Sequence, residues 1–336
     1  MAGMPWPGAV AVSGGGDSLA LMHLLADWAR SAKAAPPLVL CVDHGLRPQS
    51  ASDAKKVAGW AKKAGLKSEI LTVTGKKPKS DIEAWARQAR YRLMADGLVR
   101  HRLSALYLAH HQDDQAETFL LRLARGSGLD GLVAMRKLSP FPLPGHEGLT
   151  LARPLLEMSR GALRDLLTQR GQDWLEDPMN QEKRFARSRF RALLPALAEA
   201  GLSSARISQA AAHLARAREA LELATAAVMA RACRLEDGEI LLDPDALAAA
   251  PREIGLRAMA ALLQSVSGES YRPRFESLER LFDQMRTGRG ATLHGCHVAP
   301  APRARQRFGP ATLVIRKESS RKAAKTAVLA KARRIS

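Results

Sequence analysis

Cysteine is scarce in this chain: three in 336 residues, at Cys41, Cys233 and Cys296. They form no Cys-x-x-Cys pair, which argues against a zinc ribbon, an iron–sulfur site or a disulfide scaffold and fits a reducing cytoplasm. Aromatic side chains are also few, at 4%, so aliphatic residues and alanine must fill the core that a hydrophobic content of 46% provides. No apolar run approaches the ~20 residues of a membrane span. No basic segment followed by a long apolar run opens the chain, so no leader is expected. A cytoplasmic protein with no membrane partner follows as the expectation. Acidic residues are outnumbered, 33 to 52, for a net charge of +19. That excess points to a polyanionic partner, because clustered Lys and Arg gain affinity by releasing counterions from phosphates. Charge does not separate RNA from DNA, and a basic surface serving solubility or a GC-rich genome would give the same sign.

What is present is sharper. Ser13-Gly14-Gly15-Gly16-Asp17-Ser18 follows the apolar run Ala9-Val10-Ala11-Val12 and precedes the helical pattern Leu19 to Leu25. A strand that breaks into glycines and opens a helix traps phosphates: the glycines turn N–H groups inward and the helix N-terminus adds donors and partial positive charge. Asp17 and Ser18 stand where a helix takes its N-cap, and Asp17 is suited to a magnesium ion bridging phosphates. The loop is no Walker A motif, lacking Gly-Lys-Ser/Thr, and no dinucleotide fingerprint, since its glycines are consecutive. It resembles the pyrophosphate loop of the ATP pyrophosphatase superfamily, whose members cleave ATP to AMP and pyrophosphate and use the adenylate to activate a carbonyl oxygen.

The first half alternates strand and helix patterns. Strands are expected at 10–13, 38–42, 68–73 and 105–109, and helices at 17–32, 52–65, 81–100 and 112–125. This order predicts an α/β fold with a doubly wound parallel sheet, which binds ligands beyond the carboxyl ends of its strands. The glycine loop, Asp43-His44 and His110-His111 all fall at such ends and are expected in one crevice. Residues 126–154 read as loop with a hairpin; Gly126 to Gly131 matches the dinucleotide pattern but follows a helix, so a mobile loop is expected instead. Helices follow at 159–170, 185–200 and, as a linker, 204–234. A second, smaller α/β domain then carries a strand near Ile240, helices at 251–266 and 274–285, and a hairpin pairing 291–298 with 311–315. The expected division is a catalytic domain over 1–202 with a basic helical segment at 153–202, a linker and small nucleic-acid-binding domain over 203–317, and a basic tail over 318–336.

A second motif, His110-His111-Gln112-Asp113-Asp114-Gln115-Ala116-Glu117, follows the fourth strand. If His110 begins the helix, it shares a face with Asp114 and Glu117. Such a group can bind magnesium, hold an ammonium or move a proton; an acidic first turn serving only the helix dipole would use the same residues. Glu83, Arg87 and Arg90 follow helical spacing, and Arg90 is placed to neutralise a transferring phosphoryl group or to form a surface salt bridge. Asp43 to Arg47 closes the second strand as an adenosine pocket or as an ordinary turn. Trp174 to Asn180 followed by Arg184, Arg187, Arg189 and Arg191 makes a basic block suited to phosphates, with Asn180 able to read a base edge.

Together, in this order, Ser13–Ser18, Val42–Arg47, Glu83–Tyr91, His110–Gly131, Arg153-Pro154-Leu155-Leu156 and Trp174–Pro195 resemble the tRNA(Ile)-lysidine synthase family. The likeness covers residues 8–200; the second domain matches loosely, through Leu293-His294-Gly295-Cys296. The resemblance implies an adenine nucleotide α-hydrolase-like fold and a ligase acting on an isoleucine tRNA with a CAU anticodon. ATP, with Mg2+, would adenylate the oxygen on carbon 2 of the wobble cytidine; free lysine would then displace AMP to give lysidine. On this likeness Ser13, Gly14, Gly15, Gly16, Asp17, Ser18 and His44 hold ATP, with Asp17 also on Mg2+. Asp114 and Glu117 handle the lysine amine, and His110 and Arg90 stabilise phosphate charge. Arg153, Asn180, Arg187 and Arg191 face the tRNA. The family's Arg-Asn stands here as Arg187-Ser188. The chain looks shorter than members with two C-terminal domains, so discrimination against methionine tRNA is expected to rest on one small domain and the tail. The oligomeric state is open, a homodimer included. Two rival readings are tRNA 2-thiocytidine synthesis, disfavoured by the missing cysteine pairs, and a non-catalytic tRNA-binding protein, disfavoured by the intact loop and acidic pair.

Overall fold

Short apolar runs followed by amphipathic helices build the first unit as the pattern predicts. The computed structural model describes the chain apart from residues 2, 46–47, 76–77, 79, 81, 177–185, 270, 286–289 and 319–336, and apart from the side chains of residues 83, 186 and 187. The elements run β1 (Ala9–Ala11), α1 (Gly16–Ser31), β2 (Leu38–Asp43), α2 (Ser50–Lys63), β3 (Ser68–Thr72), α3 (Ile82–Arg100), β4 (Ala105–Tyr107) and α4 (Gln112–Leu123). There follow α5 (Leu129–Leu132), β5 (Leu138–Pro140), β6 (Thr150–Ala152), α6 (Arg160–Gln169), α7 (Ala186–Glu199) and the long α8 (Ser204–Ala232). The chain divides into two units, Met1–Ala215 and Arg216–Ser336, within α8.

In the first unit the sheet order is β3-β2-β1-β4-β6-β5. All neighbours pair in parallel except β5, which runs antiparallel to β6 at the edge. The expected hairpin at 126–154 therefore exists, and its second arm extends the main sheet: Ala105 to Tyr107 align with Thr150 to Ala152. The glycine-rich stretch before it, expected to be a mobile loop, carries the helical turn α5. Arg122 at the end of α4 donates from Nη1 to the carbonyls of Gly131 and Val133, at 2.8 and 3.0 Å, and so closes that stretch.

Two apolar layers cover the sheet, as a doubly wound fold requires. On one face Leu19, Met22 and Leu25 of α1, Val57 and Ala61 of α2, and Leu163 and Leu167 of α6 pack with Val10, Val39 and Tyr107. Tyr91, Met94 and Leu98 of α3 pack with Leu40, Leu106 and Leu151 in a separate cluster. The rarity of aromatics is visible in these lists, where aliphatic chains do most of the filling.

The second unit is a five-stranded antiparallel sheet, β7 (Cys233–Glu236), β8 (Glu239–Leu242), β9 (Ala291–Leu293), β10 (Cys296–Pro300) and β11 (Leu313–Lys317), in the order β7-β8-β11-β10-β9. Helices α9 (Pro244–Ala248), α10 (Arg252–Ser267) and α11 (Phe275–Gln284) complete it. The expected long arm 291–298 is itself a hairpin, β9 to β10, turned at His294-Gly295, both at positive φ; its second strand pairs with β11. The core joins Val228 and Ala232 of α8 to Leu242, Met259, Leu263, Leu281, Val298 and Ile315. Cys296 is buried in it, its thiol donating to the Leu263 carbonyl at 3.3 Å. Among the described residues no helix is long and apolar enough to cross a membrane.

Candidate active site

The glycine loop is held open by its own hydroxyls. The Ser18 hydroxyl donates to the Gly15 carbonyl at 2.8 Å and accepts from the Ser13 N–H at 3.2 Å. Gly14 sits at φ +91°, and a Cβ there would lie 2.6 Å from Leu175 Cδ1. The Leu175 N–H donates to the Gly14 carbonyl at 2.9 Å, so the start of the Trp174 block is laid along the loop. The sequence placed Asp17 and Ser18 at the N-cap; the cap is Gly15, without a side-chain bond, and Asp17 and Ser18 lie inside the first turn of α1. A cap that blocks no N–H leaves the first-turn donors of the helix for an anion.

The second motif reaches the same place from β4. Its helix starts where the pattern predicts, at residue 112. Gln112 opens α4 and His111 is the N-cap, so His110 precedes the helix and does not share a helical face with Asp114 and Glu117. His111 is the residue at the centre instead. Its Nε2 lies 3.5 Å from Asp17 Oδ2 and 3.5 Å from Asp114 Oδ2, and its Nδ1 lies 3.5 Å from Asp113 Oδ2. Burial works against the imidazolium, but the carboxylates of Asp113, Asp17 and Asp114 overcome it and push its pKa up to about 10. The same charge, with the Arg160 N–H, holds Asp113 far below the usual carboxylate range. Burial raises Asp17, yet His111, Arg160 and Arg164 outweigh burial and leave it lowered. Backbone bonds fix the group: the His111 N–H donates to Asp114 Oδ2 at 3.0 Å, and the Arg160 N–H to Asp113 Oδ2 at 3.0 Å. The spacing of His111 and Asp114, with the acid three residues after the cap, is the one clue in the sequence that favoured His111 over His110.

Glu117 lies one turn further along α4, 2% exposed, and is gripped in a two-pronged pair by Arg191 of α7. Arg191 Nε donates to Oε1 at 2.6 Å and Nη2 to Oε2 at 3.1 Å. The pairing raises the Arg191 pKa. Arg191, expected to face tRNA, thus lies on the acidic motif.

On the other side of the glycine loop, His44 follows β2. Burial lowers its pKa, and the positive charge of Arg90 on α3 lowers it further, so those two expected residues share one neighbourhood. Asp43 accepts from the Gly45 N–H at 2.9 Å and shapes the turn. Arg153, expected at the tRNA, is 9% exposed, and its Nη1 donates to the Arg136 carbonyl at 3.1 Å and to Ser139 Oγ at 2.9 Å. It ties β6 to the strand beside it, and burial lowers its pKa. Asn180 lies outside the described residues, as does the side chain of Arg187 on α7.

A parallel sheet whose first strand runs into three glycines and an Asp at a helix start defines a nucleotide-binding PP-loop domain, and the family model for that domain matches residues 8–197. The chain belongs to the tRNA(Ile)-lysidine synthase family. It is 41% identical over 287 residues to the tRNA(Ile)-lysidine synthase of Ruegeria pomeroyi, covering 85% of this chain and 67% of that one. It is 40% identical over 273 residues to that of Methylobacterium nodulans, covering 80% and 78%. Among solved structures, a U34-tRNA thiolase from Methanococcus maripaludis with its [4Fe-4S] cluster superposes at a TM-score of 0.51 with 15% identity, covering 62% of this chain and 71% of that one. At that identity the likeness is one of fold.

Proposed function

We propose that this chain converts the wobble cytidine of an isoleucine tRNA with a CAU anticodon to lysidine. The observation that carries the reading is the meeting of Asp17, from the glycine loop, with His111 and Asp114, from the strand-four motif: an ATP-phosphate site and a carboxylate for an amine in one crevice. In the first step the cytidine O2 attacks the α-phosphorus of ATP, and the bond to pyrophosphate breaks. The N–H groups at the start of α1 and the guanidinium of Arg90 take up the developing negative charge. In the second, lysine Nε attacks carbon 2, and the C–O bond breaks with AMP leaving. An ammonium cannot attack, so its proton must go to a base. Of Asp114 and Glu117, the pair suited to the amine, Asp114 is the open one, with 22% of its side chain exposed against 2% for Glu117. Glu117, already engaged by Arg191, holds α7 against the site.

Among the described residues no three His, Cys, Asp or Glu side chains are grouped as a metal cage. Magnesium does not require one; it binds through one or two carboxylates and substrate phosphates, and Asp17 beside the phosphate loop fits that demand. Bound there, it would neutralise phosphate charge. The three cysteines are free, and burial pushes the Cys41 thiol up to about 12, which does not suit sulfur transfer.

The test is incubation with ATP, labelled lysine and a CAU-bearing tRNA(Ile) transcript. Label in the tRNA, absent when ATP is omitted, is expected; none, with sulfur incorporated from a sulfur donor instead, would overturn the reading in favour of thiolation.

A further inference from the structure

The two helices that the Glu117–Arg191 pair joins, α4 and α7, also line an open groove of about 450 Å³, through Leu121, Ala124, Arg125, Arg189, Phe190 and Leu193. The groove belongs wholly to the first unit. On α4, Leu121 is one helical turn beyond Glu117, so the groove begins ~6 Å along the helix from the acidic face. On α7, Phe190 is the residue directly before Arg191. The groove thus continues the site. Its floor is apolar: Leu193 is half exposed, and Phe190 offers part of its ring. Its rim is cationic: Arg125 and Arg189 are exposed and have no acidic partner among the described residues. An apolar floor under two uncompensated cations suits a flat, uncharged ring joined to phosphates and disfavours an acid-free apolar peptide.

We infer that this groove seats the base of a nucleotide next to the modified cytidine, stacked on Phe190, with Arg125 and Arg189 on its phosphates. The inference deepens the reading above, since it takes its RNA from it. The chemistry is that of single-stranded recognition: an aromatic face binds any base, and arginines follow the backbone. A target base turned into the crevice separates from its neighbours, and a neighbour held in this groove would keep it turned.

The test uses the full chain and fluorescently labelled anticodon stem-loops, with binding read by polarisation in the absence of ATP and lysine. Three RNAs are compared: intact, abasic on the 5′ side of the target cytidine, and abasic on the 3′ side. One abasic RNA is expected to bind wild type about tenfold more weakly, the size of one stacking contact. F190A and F190L should bind intact RNA about tenfold more weakly and show no further loss with that abasic RNA. F190L keeps the floor apolar and so guards against a packing defect. R125A and R189A should each reduce the slope of log affinity against log salt by about 0.7. Wild-type binding with additive penalties for both abasic RNAs overturns the subsite alone. A groove that holds a second copy, seen as a dimer dispersed by F190A with RNA binding unchanged, also overturns it. No binding of any stem-loop by wild type would instead remove the tRNA reading on which the inference rests.

Discussion

The two units bury polar groups in different ways. In the second, each fully buried polar residue has a partner near it in sequence: Thr225 bonds back to the Leu221 carbonyl, Thr312 closes a turn on Gly309, and Arg257 pairs with Glu253 one helical turn before it, while the half-buried Arg305–Glu239 pair spans 66 residues. In the first, buried or half-buried charges are joined across the fold. His111 meets Asp17 from another strand-end, Asp113 meets the start of α6, and Glu117 meets Arg191 74 residues later. Local partners stabilise the element that carries them. Distant partners cost desolvation and gain little net stability, so their concentration at the ends of β1 and β4 marks them as serving chemistry.

The largest expected effect tests that distinction at Asp114. Asp114→Asn keeps an oxygen for the His111 N–H and removes the base. Lysine incorporation should fall by about 10³-fold, within the range of a lost general base, while the thermal midpoint and ATP affinity stay near wild type. An activity within a few-fold of wild type would remove Asp114 from proton transfer.

Next in size is Arg191→Ala. It leaves the Glu117 carboxylate buried without its cation, a defect worth about 3–5 kcal/mol. The thermal midpoint of the first unit should drop by about 6–20 °C. The double change Glu117→Leu with Arg191→Met should restore most of the stability, because an apolar pair of similar bulk removes the buried charge. If the pair serves only the fold, activity returns with stability; the expected result is a stable protein whose KM for lysine stays raised.

The sequence made the architecture and the loop legible because both rest on local pattern: apolar runs, glycines and a helix start in consecutive residues. It made less of what depends on long-range pairing. β6 is three residues between Gly- and Pro-rich turns, and only its register with β4 makes it a sheet strand. Arg153 reads as a surface charge until the carbonyl of Arg136 and the hydroxyl of Ser139 take its guanidinium inward. Arg191 reads as one cation in a basic block, and nothing near it names Glu117. The pattern placed the start of α4 at residue 112 but not which of His110 and His111 meets the acidic residues; the His111–Asp114 capping relation decides that. The tail and the Asn180 segment lie outside the described residues, so expectations there stand as expectations.

A third prediction concerns pH. The pKa of His111 in the folded chain, up to about 10, lies above its ordinary 6.5. Its contribution to stability is therefore complete below pH ~6.5 and is lost as pH rises toward ~10. Asp113 and Asp17 have lowered values, so their share is present above pH ~4 and lost as pH falls. His111→Asn should lower the thermal midpoint most between about pH 4.5 and 6.5 and progressively less toward pH 10. A gap between wild type and variant that stays constant over this range would mean that His111 acts by packing alone.

The smallest effect probes the second unit. Gly255 on α10 lies against α11, and a Cβ there would sit 2.4 Å from Phe282 Cζ and 3.3 Å from the Leu247 carbonyl. Gly255→Ala gains up to ~1 kcal/mol of helix propensity but overpacks the core, which costs about 1–3 kcal/mol. Both the Phe282 ring and the backbone oxygen are held by the surrounding core, so the cost should prevail. Amides of α10 and α11 should exchange faster by a few-fold, with those of α1 and β1 unchanged and ATP affinity intact. Retained ATP affinity with faster exchange confined to α10 and α11 would make the second unit an independent folding unit whose buried groups serve its own core. Accelerated exchange at the glycine loop would show that the charged cluster of the first unit draws on the second for its geometry, and the contrast between local and distant partners would no longer separate fold from chemistry.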